Sequence, residues 1–351
     1  MSKINNEFST EIEKFGSENI NACYNCGNCT AVCSLSTEEN SFPREMIRLS
    51  ILGLEDDIQG SLKPWLCYYC GECSETCPRL ANPGELMMAL RRWLTAKYDW
   101  TGLSGLLYKS FIASLLGFIL TAAAVIFFVF YKEFDTEAIM HVGHLFEMIA
   151  IATVATVILL PNIVRMHYFT ITKKKIKPSL KQYFKSFKEL LVHMFVQKEA
   201  LGCEDNKFRW FEHFILVIGY LMLLFTTVVL DWFNTEFLAV HIFGYIMSAI
   251  VFIVTFDFVL SRMKKKTELS KHSRPSDWLF VIWLFLLGFT SFLVRLFIDI
   301  DLLENNFWMY IVHMIVLVQW ALLIVPFGKW THFLYRSFAM YFQHIIDETE
   351  K

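Results

Sequence analysis

Two cysteine runs with the same spacing constrain this chain more than any other feature. The run CYNCGNCTAVC covers residues 23–33 and the run CYYCGECSETC covers residues 67–77. Each has the spacing C-x2-C-x2-C-x3-C, which places three cysteines on one tight turn and a fourth shortly after it. Thiolates with this spacing bind 4Fe-4S clusters, and in two-cluster proteins the fourth cysteine of each run is a ligand of the other cluster. The sequence therefore predicts two clusters that share ligands crosswise.

The crosswise arrangement divides eight cysteines into two sets of ligands. Gly27 and Gly71 separate the second and third ligands of their runs, where the backbone turns closely around inorganic sulfur. Pro78 follows the last ligand of the second run as the pattern expects, whereas Ser34 takes that place in the first. The expected sets are Cys23, Cys26, Cys29 and Cys77 for one cluster, and Cys67, Cys70, Cys73 and Cys33 for the other.

Two structural zinc sites, or a set of disulfides, are the alternative interpretations of these runs. Pairs of C-x2-C would satisfy zinc, which has no use for a third and fourth cysteine on one run. Disulfides would require an oxidising compartment. Residues 1–20 contain no apolar run, so no cleavable signal peptide is expected and the cysteines are expected in the reducing cytoplasm. The ninth cysteine, Cys203, stands alone and is interpreted as structural or incidental.

The remainder of the chain is too apolar for an ordinary soluble protein. Of its 351 residues, 55% are hydrophobic, and the mean hydropathy is +0.42. Several stretches approach the length of about 20 residues that crosses about 30 Å of hydrocarbon. The six expected spans are 110–131, 141–164, 210–230, 237–260, 278–298 and 308–331.

The segments between these spans alternate in charge. Residues 131–140, 231–236 and 299–306 together hold one Lys and eight acidic residues, whereas residues 165–209 hold eleven Lys or Arg. By the positive-inside rule, the basic loops and both termini are cytoplasmic. The expected fold is all-α: a small helical ferredoxin-like dicluster head over residues 1–100, a six-helix transmembrane bundle over residues 101–340, and a cytoplasmic tail over residues 341–351.

An amphipathic helix is expected near residues 179–199, within the long basic loop. Two placements fit this pattern: the helix lies in the membrane interface with its apolar side down, or it packs on the head as a soluble helix. Lysines at 181, 185 and 188 occupy the other face. The apolar positions are Tyr183, Phe184, Phe187, Leu190, Leu191, Met194 and Phe195.

Histidines at membrane depth are the other candidate functional groups. A titratable side chain inside a membrane is a functional hypothesis by default, and beside iron–sulfur clusters its most economical role is axial ligation of haem b. Any one of these histidines taken alone would more simply be a core or interfacial residue. His193, His272 and His344 fall in cytoplasmic segments and are set aside. The candidates are His141, His144, His167, His213, His241, His313 and His332.

Four segments carry a resemblance to known families. The segments RWFEHFILVIGY (209–220), SDWLFVIWLFLLGFT (276–290) and HMIVLVQWALLIVPFGKWTHFLYR (313–336) resemble the dihaem cytochrome b of the nitrate reductase gamma and heterodisulfide reductase type. The segment WLCYYCGECSETCPRLANPGELMMALRR (65–92) resembles the iron–sulfur C subunit of heterodisulfide reductase. Both halves in one chain resemble the C subunit of the quinone-interacting membrane-bound oxidoreductase (Qmo) complexes.

This resemblance implies a bacterial inner-membrane component of an oxidoreductase. It would pass electrons between menaquinone and cytoplasmic flavin and iron–sulfur partners, namely heterodisulfide reductase A-like subunits such as the A and B subunits of the Qmo complex. Two b haems would be stacked across the bilayer, in addition to the two 4Fe-4S clusters. The alternative function is a haem-free membrane anchor and iron–sulfur relay.

The histidine pattern of the resembling cytochromes is only partly matched. Their third span carries two histidines, whereas this chain has His213 alone. The inner haem is expected to bind to His213 and His332, and the outer haem to His241 and His313, with His144 in reserve. His313 and His332 are 19 residues apart, an offset of about 100° on an ideal helix. A kink at the proline at position 326 would absorb part of this offset.

A quinone site needs a proton-transferring group near the edge of the membrane. His144 and Glu147 are three residues apart and share a face of the second span, so this pair is the expected site. In the alternative interpretations, Glu147 pairs with Arg295 or bonds to His144 without a quinone. A similar pair on the inner side, Glu212 and His167, is the other candidate.

Overall fold

The computed structural model describes residues 4–197, 207–226, 238–265 and 271–351, and in these ranges the chain is helical and contains no strand. The all-α fold class is therefore confirmed. The head consists of α1 Phe8–Glu13, α2 Asn28–Ala31, α3 Arg44–Ile51, α4 Glu55–Gln59, α5 Lys63–Leu66, α6 Glu72–Glu75, α7 Pro83–Tyr98 and α8 Leu103–Lys109.

Five helical stretches among the described residues are long and apolar enough to cross a membrane, which indicates a membrane protein. Of the expected third span, residues 210–224 belong to α13, and residues 227–230 lie outside the described ranges, as does Cys203. The five stretches are Phe111–Tyr131, Thr136–Thr172, Leu238–Met263, Pro275–Asp299 and Trp308–Glu350.

The helices of this part are numbered in chain order. The second and fifth stretches are longer than the expected spans. The second begins before residue 141 and ends after residue 164, and the fifth continues past residue 331 to Glu350. The helices are α9 Phe111–Tyr131, α10 Thr136–Thr153, α11 Leu160–His167, α12 Leu180–Phe195, α13 Lys207–Leu224, α14 Leu238–Met263, α15 Pro275–Asp299, α16 Trp308–Gln319, α17 Val325–Phe327 and α18 Thr331–Glu350.

Prolines interrupt two of the long stretches. A π turn at Val154–Leu159 precedes Pro161, and another at Trp320–Ile324 precedes Pro326. Proline lacks the N–H that continues the helical ladder, and its ring crowds the carbonyl four residues earlier, so the backbone widens there. After Pro326 the helix stops at Gly328, whose ψ is −162°, and α18 begins three residues later. The ideal-helix angle between the histidines at 313 and 332 therefore does not apply.

The core of the head continues into the inner ends of the membrane helices. Trp65, Tyr98 and Tyr335 are fully buried and stack or meet edge to face, with ring centroids 5.5–6.5 Å apart. Tyr335 belongs to α18, and Met166 of α11 joins the same cluster of buried side chains. Because one core serves both parts, the head is fixed to the membrane helices rather than tethered to them by a linker.

A buried carboxylate also joins the two parts. Asp277, at the start of α15, accepts a hydrogen bond from Arg92 of α7 at 3.0 Å and forms an ion pair with Lys329, whose Nζ lies 2.7 Å from Oδ1. The backbone N–H of Arg274 donates a further bond to it at 3.0 Å. Removing one partner of such a buried pair leaves an uncompensated charge, at a cost of about 3–5 kcal/mol. The contact therefore holds the head helix, the fourth stretch and the fifth stretch in one arrangement.

The expected amphipathic helix is α12, and one of its faces is covered by other helices. One face packs along α18: the Tyr341 hydroxyl donates to the Tyr183 carbonyl at 3.1 Å, and Ser186 shares a 2.9 Å hydrogen bond with His344. Tyr183, Leu190 and Met194 pack against the shared core, so they do not belong to an exposed apolar side. The remaining apolar residues form an exposed stripe at helical spacing, which consists of Leu180, Phe184, Phe187, Leu191 and Phe195.

We expect the exposed stripe of α12 to lie in the membrane interface. A nitroxide on Phe184→Cys, in a Cys203→Ser background with the clusters intact, should be reached more readily by oxygen than by a water-soluble nickel complex in lipid nanodiscs, because apolar side chains on such a helix enter the lipid. The matched control is Lys185→Cys, an exposed position about 100° around the helix from Phe184, which should show the reverse preference. Equal nickel access at both positions would contradict the interfacial placement.

Candidate functional site

The two cysteine runs fold into the same backbone turn. Asn25 and Tyr69, each two residues after the first cysteine of its run, have left-handed φ angles of 58° and 57°. Gly27 and Gly71, two residues further on, have φ angles of 92° and 98°. Glycine occupies this region at no steric cost, so it allows the chain to turn around a central group. The repeated spacing in the sequence is therefore a repeated structure.

Backbone N–H groups point at the thiol sulfurs. Such donors stabilise negative charge on sulfur, as a thiolate bound to iron requires. Equivalent residues of the two runs make equivalent contacts. The N–H to Sγ distances are 3.3 Å from Asn25 to Cys23, 3.3 Å from Tyr69 to Cys67, and 3.4 Å from Ala81 to Cys77.

The thiols gather in two groups, each of which takes its fourth member from the other run. Cys77 of the second run lines one cavity with three cysteines of the first; we call this the first thiol site. Cys33 of the first run lies within electrostatic range of Cys67, Cys70 and Cys73; we call this the second thiol site. This is the grouping that crosswise ligation requires.

The chemistry of the thiol sites fits iron–sulfur clusters better than either alternative. The eight cysteines that the structure describes are free, so they form no disulfides. Among the described residues, no three His, Cys, Asp or Glu side chains gather closely enough to hold a single metal ion, as zinc would require. Burial raises the pKa of the Cys33 thiol to about 11 and raises that of Cys73 further. Only bound positive charge would make these buried thiols anionic at neutral pH.

The two thiol sites face different surroundings. The first has the exposed Cys26 at its edge, beside Tyr24 and Leu80, whose side chains are 70% and 67% exposed. Each site has one exposed cysteine, Cys26 in the first and Cys70 in the second. In the second, Cys67 is buried near Trp65, which contacts α18. Both sites therefore reach solvent at one thiol, and the second also adjoins the membrane helices.

The structure places His213 and His332 near each other. Their imidazoles lie within electrostatic range of each other and of Arg336. His332 also lines a cavity that contains Trp65 and Arg91 of the head. Nδ1 of His213 is buried and has no hydrogen-bond partner among the described residues. A polar atom that is buried without a protein partner is expected where that atom faces a bound ligand.

His313 has a partner that the sequence did not indicate. Its Nδ1 lies 2.8 Å from the hydroxyl oxygen of Thr290. That hydroxyl donates its proton to the carbonyl of Leu286 at 2.7 Å, so its oxygen accepts from Nδ1–H of the imidazole. In this tautomer of His313 the proton is on Nδ1, so Nε2 carries no proton and is able to bind iron. In the sequence, the only sign of this contact is the polar Thr290 within an apolar span. Its position along that span does not show which helix its hydroxyl faces.

The sequence pairs His241 with His313 by depth. His241 is exposed, as is His141. Gly143, next to His144, packs so closely on α16 that a Cβ there would lie 2.6 Å from the hydroxyl of Tyr310, one turn before His313. The helix carrying His144 therefore packs against the helix carrying His313.

The expected quinone-site residues lie among other polar groups. Glu147 is within electrostatic range of Arg295 and Tyr310, so the alternative pairing with Arg295 is geometrically available. On the inner side, His167 shares a 2.7 Å hydrogen bond with the Tyr183 hydroxyl, whereas Glu212 is hydrogen-bonded to Asp257. The contacts of Glu212 and His167 do not join them in one site.

Comparisons with known proteins identify the head. Residues 22–81 match the model of the 4Fe-4S dicluster domain. The chain is 35% identical over 88 residues to an Archaeoglobus profundus protein described as like the C subunit of heterodisulfide reductase, covering 25% of this chain and 47% of that protein. It is 36% identical over 76 residues to the C subunit of the H(2):CoB-CoM heterodisulfide,ferredoxin reductase of Methanothermobacter thermautotrophicus, covering 22% and 41%.

A third relative, the second iron–sulfur C subunit of the CoB–CoM heterodisulfide reductase of Methanocaldococcus jannaschii, is 32% identical over 99 residues, covering 26% of this chain and 53% of that protein. The chain spans about half the length of the curated relatives it matches. No solved structure matches it. The chain therefore carries an iron–sulfur head like the C subunit of heterodisulfide reductase, with a 4Fe-4S dicluster domain.

Replacing Cys77 with Ala should disturb mainly the cluster of the first thiol site, although Cys77 belongs to the second run. The reason is that Cys77 lines the cavity of the first run's thiols. Electron paramagnetic resonance of the reduced protein distinguishes the two signals. The reciprocal variant Cys33→Ala should disturb the other cluster, and loss of the Cys67 cluster alone in the Cys77 variant would refute crosswise ligation.

Proposed function

We propose that this chain is the membrane subunit of a quinone-linked oxidoreductase. It passes electrons between a menaquinone pool and soluble flavin and iron–sulfur partners of the heterodisulfide reductase A type, such as the A and B subunits of a Qmo complex. One observation carries the proposal: His213 lies within electrostatic range of His332, and His332 shares a cavity with Trp65 and Arg91 of the head. A protein that only anchors the head has no need of two neighbouring imidazoles there.

When bound, two 4Fe-4S clusters and two b haems supply one-electron carriers. The cysteines of the two thiol sites would hold the clusters, and His213 with His332 would hold the inner haem. For the outer haem we propose His313 with His144 in place of His241, because Gly143 packs against Tyr310 and Met314 on the helix that carries His313, whereas His241 is exposed. Thr290 fixes the orientation and tautomer of His313.

The quinone would meet the chain near Glu147. This carboxyl lies within electrostatic range of Arg295 and Tyr310, close to the helix that carries His313. Arg295 can stabilise the carboxylate, and the carboxyl can hold or release the proton that a quinol gives up on oxidation. Since His144 is assigned to the outer haem, the proton role falls to Glu147. A soluble partner would approach the head at the first thiol site, where Cys26 is exposed.

A haem-free anchor and iron–sulfur relay is the second candidate function. The shared core and the contacts of Asp277 would be sufficient for a purely structural attachment of the head. The unpartnered Nδ1 of His213 and the oriented His313 favour the haem-bearing function, because a structural imidazole in an apolar setting needs its polar atoms satisfied.

Replacing Thr290 with Val should raise the reduction potential of one haem and leave the other unchanged. The hydrogen bond from Nδ1–H makes the imidazole a more basic ligand, so its loss destabilises the oxidised iron. Optical redox titration of the α band measures both potentials. Thr290→Ser keeps the hydroxyl and is the matched control. Unchanged potentials for both haems in the Val variant would show that Thr290 does not orient a ligand.

Replacing Glu147 with Gln should retain both haems and both clusters but abolish haem reduction by a menaquinol analogue. The amide keeps the size of the side chain and loses the ability to take a proton. Stopped-flow absorbance follows the reduction. Glu137→Gln, an exposed acid in the first turn of the same helix, should leave the rate unchanged. Undiminished reduction in the Glu147 variant would exclude the outer quinone site.

A further inference from the structure

Arg91 is a buried cation for which the described part of the chain supplies no carboxylate. It is 4% exposed, and it forms none of the ion pairs found among the described residues. Its neighbour Arg92, similarly buried, pairs with Asp277 at 3.0 Å. Burial lowers the pKa of Arg91 to about 10, so it is still charged at neutral pH. A buried charge without a counter-charge is costly, which makes its setting informative.

The guanidinium of Arg91 holds the loop that leads into the second thiol site. Nε donates to the carbonyl of Pro64 at 2.7 Å, and Nη2 donates to the carbonyls of Trp65, at 3.4 Å, and Cys67. Nη1 lies 3.6 Å from Sδ of Met88. All these acceptors are neutral, so they satisfy the N–H groups and leave the positive charge uncompensated.

Arg91 also lies on the route from the thiols to the inner histidines. It lines one cavity together with His332 and Lys329. The cavity also contains the carboxylate of Asp277, which is already paired with Arg92 and Lys329. The other charged side chains near Arg91 are Arg336 and Arg92, both cations. Within the described part of the chain, Arg91 therefore has positive neighbours and no acidic partner of its own, and its remaining side is that of Cys67 in the second thiol site. The counter-charge that this setting needs is an anion bound to Cys67.

We propose that Arg91 is the fixed counter-charge of the second iron–sulfur cluster and raises its reduction potential above that of the first. The inference rests on the proposed cluster ligation. Four thiolates outweigh the positive charge of a 4Fe-4S core, and reduction adds a further negative charge, so a nearby cation stabilises the reduced form. Arg91 is a positioning residue, since it holds the ligand loop and touches no reacting atom. The second cluster thereby becomes the preferred resting place for an electron between the haem side and the first cluster.

The test is a potentiometric titration of the complete, cluster-loaded protein, followed by electron paramagnetic resonance. In Arg91→Gln, the ratio of reduced to oxidised second cluster at a fixed potential should fall about tenfold or more, equivalent to about 59 mV for one electron. The first cluster should not change. The control Arg79→Gln removes an exposed cation near the first thiol site, which stacks on Tyr24 at 4.2 Å, and should leave the second cluster unaffected.

A second variant decides the matter if Arg91→Gln fails to assemble its clusters. Met88→Glu places a carboxylate beside the guanidinium and neutralises its charge without removing its hydrogen bonds; Met88→Gln is the matched neutral control. The Glu variant should shift the second cluster in the same direction, and the Gln variant should not. Intact clusters with an unchanged second potential would overturn the role of Arg91. Absence of two clusters from the unaltered protein, measured as bound iron and sulfide, would instead refute the proposed function.

Discussion

The carboxylate of Asp277 is the contact on which the rest of the arrangement depends. It lies at the start of a membrane helix, yet its partners come from the head helix α7 and from the turn after Pro326. A single acid is thus compensated by Arg92 and Lys329, and neither cation could remain buried without it. Since all three groups are largely enclosed, the ion pairs fix the head against the bundle in one orientation. The aromatic contacts of Trp65, Tyr98 and Tyr335 surround the same junction.

This junction gives α7 two distinct electrostatic tasks. Arg92 points to the membrane helices and is paired, whereas Arg91, the preceding residue, holds the carbonyls of the second cysteine run and has no acidic partner among the described residues. Successive residues of a helix point about 100° apart, so adjacent cations can serve the two sides of one helix. The second thiol site is therefore held by the same helix that, through Asp277, is joined to Lys329 in the turn before His332.

The sequence was sufficient where spacing determines chemistry. The C-x2-C-x2-C-x3-C runs predicted the turns and the grouping of thiols because ligand spacing is a local property of the backbone. The apolar stretches predicted the long helices for the same reason. The histidines were harder, because depth in a membrane can be read from a sequence but the neighbouring helix cannot. His241 and His313 were matched by depth, but only the structure shows that the helix carrying His144 packs, at Gly143, against Tyr310 of the helix carrying His313.

Other features depended on contacts distant in the sequence and could not be predicted from it. Thr290 is 23 residues from His313, and Asp277 is 185 residues from Arg92. The apolar side of α12 was expected to be single, but α18 covers Tyr183 and leaves the stripe containing Phe184 exposed. A helical period shows that apolar residues share one face of a helix. It does not show how much of that face a neighbouring helix covers.

The central claim is that this chain carries haem between the quinone and its iron–sulfur head. The most direct measurement is a reduced-minus-oxidised absorption spectrum of the purified full-length chain, with haem quantified per chain. The account predicts a sharp α band and a split Soret change from two b haems, superimposed on the bleaching of two iron–sulfur clusters. Iron–sulfur bleaching alone, without a haem band, would contradict the account and identify the membrane helices as an anchor.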